Sequence, residues 1–244
     1  MHRLIDGERC ADRAAAFEAG QILVWNALPL PQLERLRALP ILTDPAMRKL
    51  KSAGLLPVSA KRQPWRSWAR TDAEAWSLYR DGFQAAATWL NAFVAERFPR
   101  YRFTGGMETW RFTETRDMEM HYDIYAARQQ DLSLRLFVNV DDVPRTWALG
   151  PDLLDFAEPN RGALKGCATL NEINVALTRL LPQTGWPLWR IPPGTAFVVQ
   201  AQRVAHQVVF GRRLVAFAFH IDGKALADPG LSPAGLTKQI HGHA

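Results

Sequence analysis

From Leu132 to Val140 the chain alternates almost strictly, and a period of two held over such a run demands a β-strand with two unlike faces. Leu132, Leu134, Leu136, Val138 and Val140 fall on one face, and Ser133, Arg135, Phe137 and Asn139 on the other. An arginine on the second face needs solvent or an anion, because a guanidinium taken out of water without a counter-charge is costly. The sheet that holds this strand therefore has one side for apolar cover and another that is polar at Arg135.

The earlier part of the chain supplies the cover. Gln21 to Trp25 reads as a short buried strand after a glycine stop at Gly20, and Gln32 to Leu39 as a short helix beyond Pro29 and Pro31. A long helix starts at Thr71, where Thr71 and Glu74 have capping-box spacing, and ends before Pro99. Trp76, Tyr79, Phe83, Ala87, Leu90 and Val94 recur along it at three- and four-residue steps, which makes them a core-facing stripe. From residue 101 the texture is β. Strands are expected at Met107 to Thr113 and Gly194 to Gln200, and a hairpin from Gln207–Phe210 to Leu214–Ile221 about Gly211-Arg212, with a helix from Asn171 to Leu181 between. The expected architecture is α+β: a double-stranded β-helix (cupin or jelly-roll) core with an α-helical N-terminal part packed on it. The whole of 1–244 reads as one domain, with 1–100 as mainly helical support, 101–223 as the β core and 224–244 as a fraying tail that holds His241 and His243.

No apolar run approaches a membrane span, and the first residues lack a signal-type apolar stretch, so a cytoplasmic protein is expected. Cys10 and Cys167 are too few for a disulfide framework. The formal net charge of +6, carried mostly by arginine, favours anionic partners without choosing among them. Lys61 to Arg70 interleaves cations with Trp65 and Trp68, a composition suited to phosphorylated glycolipid at a membrane surface, to stacking bases while binding phosphates, or to a solvated loop packed on the following helix.

Chemistry is concentrated at His121-Tyr122-Asp123 and, much later, His206. In an extended segment His121 and Asp123 point to the same side, as two ligands of one ion must. His206 follows the Pro192-Pro193-Gly194 turn and the strand after it, a place that meets the His-x-Asp segment at one open end of a double-stranded β-helix. Two imidazoles and a carboxylate suit iron(II) with open coordination positions better than a closed zinc site, which calls for thiolates.

These residues carry a resemblance. His-x-Asp, the distal His206 and the basic residue on the strand after His-x-Asp resemble the cupin-fold Fe(II)/2-oxoglutarate-dependent dioxygenases. Within them, Leu134 to Val140, Pro144-Arg145-Thr146-Trp147-Ala148-Leu149-Gly150, Ala205-His206, Gly211, Ala218-Phe219-His220 and the early Phe17 to Leu23 resemble the Kdo hydroxylases, which act on the Kdo sugar of the lipopolysaccharide inner core. The likeness touches most of the length and is dense in the β half. It implies a dioxygenase that takes iron(II), 2-oxoglutarate and O2, with ascorbate as an auxiliary reductant. His121, Asp123 and His206 are the implied iron ligands, Arg135 the implied partner of the distal carboxylate of 2-oxoglutarate, Trp147 a pocket tryptophan and Arg102 a second pocket arginine. Arg213 is the competing position for the carboxylate, and Arg135 is preferred. The expected substrate is an anionic glycolipid or small molecule, reached peripherally at the inner membrane. Nucleic acid is not expected, and the sequence does not fix an oligomeric state. Other readings are a dioxygenase for an amino acid, natural-product intermediate or nucleobase, and a non-catalytic cupin-fold binding protein.

Overall fold

The computed structural model describes residues 2–41, 73–124 and 132–242, with side chains in the long helix from residue 83 onward. The Lys61 to Arg70 segment, Thr71, the side chains of Glu74, Trp76 and Tyr79, and His243 lie outside the described residues. The elements in chain order are β1 (Leu4–Asp6), α1 (Arg13–Glu18), β2 (Ile22–Trp25), α2 (Leu33–Ala38), α3 (Ala73–Arg97), β3 (Phe103–Arg116), β4 (Leu132–Asn139), β5 (Arg145–Asp152), α4 (Leu153–Ala157), α5 (Leu170–Leu180), β6 (Leu188–Ile191), β7 (Ala196–Val199), β8 (Val204–Ile221) and α6 (Pro233–His241). Among the described residues no helix is long and apolar enough to cross a membrane.

The strands join in one sheet, ordered β1-β2-β7-β4-β8-β5-β6, with β3 on the free side of β8. β8 organises it. Its first half pairs with β5, from Val204 opposite Asp152 to Phe210 opposite Thr146, and its second half runs between β4 and β3. A strand shared in this way carries the sheet from one wall of a curled sandwich to the other.

Alternation on β4 does what its sequence demands. Leu132, Leu134, Leu136 and Val138 join the large apolar cluster beneath the helices, while Phe137 joins a second cluster inside the curl with Trp147, Ile191, Phe197, Val199 and Val208. α3 covers the outer side: Phe83 stacks on Trp110 of β3 with ring centroids 4.1 Å apart, and Phe93 meets Trp25 of β2 edge-on at 5.3 Å. α5 begins at a capping box, in which Thr169 and Glu172 each satisfy the other's backbone N–H.

Three expectations need correction. Gly211 is not a turn, and β8 runs unbroken through it; that glycine is small because a Cβ there would lie 2.1 Å from Nη1 of Arg145. No strand is expected from the sequence between Val140 and Gly194, yet β5 and, beyond α5, β6 form there; the glycine, proline and tryptophan of β5 hide its alternation, and β6 is only four residues long. The tail does not fray at His241, since α6 is capped by Ser232 at its start and by Gly242 in the left-handed region at its end.

A buried carboxylate ties this tail to the rest. Glu18, at the end of α1, pairs with Arg100, accepts from the Tyr101 hydroxyl at 3.0 Å, and accepts from the backbone N–H groups of Ala227 and Asp228 at 3.0 and 3.1 Å. Removing it takes the acceptor from two part-buried backbone N–H groups and the counter-charge from Arg100. Glu18→Ala is expected to lower stability by about 3 kcal/mol, read as a reduced urea midpoint with an unchanged slope; a midpoint equal to that of the parent protein would contradict this role.

Candidate metal centre

The His-x-Asp segment is locked to the start of β8 by main chain. His121 N–H donates to the His206 carbonyl at 3.1 Å, His206 N–H returns a bond to the His121 carbonyl at 2.9 Å, and Asp123 N–H donates to the Ala201 carbonyl at 2.8 Å. These bonds bring residues far apart in sequence to one end of the curled sheet. One nitrogen or oxygen from each of His121, Asp123 and His206 lies within 4.8 Å of the others. A shared first-row ion with bonds of about 2.1 Å would draw such atoms to about 3 Å from one another.

The two imidazoles are oriented by their own backbone. Nδ1 of His121 lies 2.7 Å from the Glu119 carbonyl, and Nδ1 of His206 lies 3.0 Å from the Val204 carbonyl. A carbonyl only accepts, so each Nδ1 carries the proton and each Nε2 keeps its lone pair for a metal. The centre is closed on one side and open on the other, since Asp123 and His206 are buried while the His121 side chain is 24% exposed.

Electrostatics favour the ligating forms. Burial opposes ionisation of Asp123, but the Arg135 charge outweighs it and holds the carboxyl well below the usual range. Burial first, and neighbouring His121 second, push His206 down to about 4 despite Asp123. At neutral pH the set is therefore two neutral imidazoles and one carboxylate, with no thiolate. This donor set, with room for further ligands, fits non-haem iron(II).

Arg135 sits on the inner face of β4, 7% exposed, with Nε 3.8 Å from Asp123 Oδ2. Trp147 of β5 stacks on His206, with centroids 4.7 Å apart and planes 14° from parallel, and is boxed by Phe137 and Phe197. The structure thus brings His121, Asp123, His206, Arg135 and Trp147 together. Two expected pocket arginines lie elsewhere. Arg213 occupies an odd position of β8, opposite Phe112, on the face that packs beneath the helices; its guanidinium binds Asp141 and the Leu39 carbonyl. Arg102 lies at the far end of β8 from His206, 82% exposed and beside Asp222. Strand parity turns Arg213 away from the centre, and distance along the sheet separates Arg102 from it. Arg145 received no role from the sequence, although its position two residues before Trp147 placed both on one face of a strand.

No protein-family model matches the sequence, and no curated protein matches it by sequence. Solved structures do. A crystal structure of the Kdo hydroxylase KdoO, a non-haem Fe(II) alphaketoglutarate-dependent dioxygenase, in complex with alphaketoglutarate and Fe(III), superposes with a TM-score of 0.65 at 19% identity, covering 99% of this chain and 96% of that one. The chain has the fold of KdoO. A second KdoO structure, with cobalt(II), gives a TM-score of 0.63 at 20% identity over 95% of this chain and 89% of that one. The expected double-stranded β-helix is the fold observed, and the centre occupies one open end of it.

The imidazole of His206 generates a pH effect. In metal-free protein the unfolded chain takes up a proton below pH 6.5 that the folded chain refuses until about pH 4, so stability is to fall as pH drops through that window. Urea midpoints measured across it should decline in the parent protein and flatten in His206→Gln; equal slopes would place the effect on other groups.

Proposed function

We propose that the protein is an iron(II)- and 2-oxoglutarate-dependent dioxygenase that hydroxylates a C–H bond of an anionic sugar of the Kdo type. The observation that carries this reading is the convergence of His121 Nε2, Asp123 and His206 Nε2 at the open end of the fold, with both imidazoles already in the ligating tautomer. Iron(II), with 2-oxoglutarate and O2, supplies the oxidising chemistry, in which one oxygen atom enters the substrate and the other leaves in succinate alongside CO2.

The chain's own share is binding, orientation and exclusion of water. His121, Asp123 and His206 would hold the metal from one side. Arg135 supplies positive charge beside it, matched to the carboxylate of a 2-oxo acid. Trp147, Phe137 and Phe197 wall the interior with rings that keep water from the reacting atoms. Beside Phe137 the floor is low: Ala216 and Ala218 of β8 lie between Phe137 and Arg135 of β4 and Thr109 and Met107 of β3. Ala216 keeps partial exposure, and side chains this small leave room for a substrate on that side. The net positive charge of the chain and the likeness to KdoO support an anionic sugar as substrate.

The test is succinate release from 2-oxoglutarate with added iron(II), ascorbate and lipopolysaccharide precursor, followed by mass spectrometry of the sugar. The expected result is iron-dependent succinate, a gain of one oxygen on the Kdo fragment, and a loss of turnover of about two orders of magnitude or more in Asp123→Ala. Undiminished turnover in that variant would overturn the reading, and succinate without a change in the sugar would move the substrate to another class of small acid.

A further inference from the structure

Leu188 is the most exposed large apolar side chain among the described residues, at 67%, and it does not stand alone. Leu180, 44% exposed, closes α5, and Pro182, Pro187 and the half-buried Trp186 lie between the two leucines. Every residue between Arg179 and Arg190 is uncharged. The loop nevertheless has a fixed shape. Trp186 Nε1 donates to the Pro182 carbonyl at 2.6 Å, and the indole packs on the large apolar cluster. An apolar surface held in shape but left open to water marks a contact with a partner or a membrane, since its ordering cost is already met before contact.

This loop borders the metal centre. Gln183 Oε1 accepts from the backbone N–H of Met120, the residue before His121, at 2.9 Å. The Pro187 carbonyl accepts from Leu149 N–H at 3.0 Å, and Leu149 stands opposite His206 across β5 and β8. Two strand spacings, about 10 Å, therefore separate the loop from the His206 backbone. Leu188 and Arg190 share the outer face of β6, because Trp189 and Ile191 turn inward, and Arg179 stands in the last turn of α5. From Ile173 to Ile221 the sequence holds no acid. Glu119, beside Met120, offsets one of the two arginines, so the apolar side chains carry most of any attraction and the charges select its sign.

Chemistry narrows what covers this rim. Among the described residues β6 pairs with β5 alone, and an open strand edge invites a second copy of the chain. The edge is blunted, however: β6 has four residues, lies between Pro187 and Pro192-Pro193, and carries Arg190 outward. A membrane surface meets no such obstacle, because leucine and tryptophan enter the headgroup boundary without a backbone partner while arginines meet lipid phosphates. We propose that the rim from Arg179 to Arg190 docks the protein on an anionic phospholipid bilayer, with the open metal centre beside the headgroups. The contact goes beyond the reaction proposed above, and its use, delivery of a lipid-borne sugar to the centre, rests on that reading.

The experiment is flotation of the full chain with phosphatidylcholine vesicles, with and without about one-third phosphatidylglycerol. It compares the parent, Leu188→Asp and the double variant Arg179→Gln/Arg190→Gln, without iron or 2-oxoglutarate. The parent is expected to bind the anionic vesicles about fivefold or more tightly than the neutral ones, and Leu188→Asp to bind them about tenfold more weakly than the parent. The double variant should lose the preference for anionic vesicles. A parent that floats with neither vesicle overturns the proposal, as does a Leu188→Asp protein that floats as the parent does. A parent dimer in sedimentation that Leu188→Asp dissociates would give the rim to a second copy and overturn it too. If Leu188→Asp does not fold, the double variant decides, and an unchanged preference for anionic vesicles counts against the rim. With iron(II) and 2-oxoglutarate added, Leu188→Asp should release less succinate than the parent on vesicle-borne precursor and as much on a soluble Kdo sugar; equal losses on both would overturn the docking role. No succinate from the parent on either sugar sinks the dioxygenase reading, while flotation still decides the rim.

Discussion

Two reciprocal hydrogen bonds between the backbones of His121 and His206 hold the centre together, and every later step of the chemistry depends on that small piece of antiparallel pairing. Neither residue could recruit the other through its side chain, because two neutral imidazoles do not attract strongly. The main chain does the joining, and Asp123 is fixed in turn by its bond to Ala201. Metal binding then acts on a preformed arrangement rather than having to assemble one against chain entropy.

Parity decides which cations can serve this centre. On β4 the odd positions turn inward and carry Arg135 to Asp123. On β8 the even positions turn inward as Ala216 and Ala218, while Val215, Phe217 and Phe219 go to the helical layer, and Arg213 goes with them. Its charge is used structurally, clamping Asp141 and the Leu39 carbonyl. Arginines close together in sequence thus have unrelated roles because successive strand residues face opposite ways.

Much of this was legible without coordinates. The alternation of Leu132 to Val140, the His-x-Asp spacing and the late histidine each encode a local geometry, and local geometry survives folding. What was hidden depends on contacts between distant segments. Gly211 has the composition of a turn and the function of a gap, and only the Arg145 guanidinium lying over it reveals the difference. β5 was obscured because Trp147, Gly150 and Pro151 answer to neighbours rather than to a strand pattern, and with β5 unseen Arg145 had no face to lie on. Arg102 was placed by likeness alone, across a gap whose length the sequence does not set, and the strand it precedes carries it away from the histidines.

The carbonyls of Glu119 and Val204 set the imidazole tautomers, a task often left to a neighbouring carboxylate. Main-chain oxygens are present whatever the side chains become. The walls and floor of the cavity are therefore free to drift toward new molecules over generations, while the grip on the ion stays as it was.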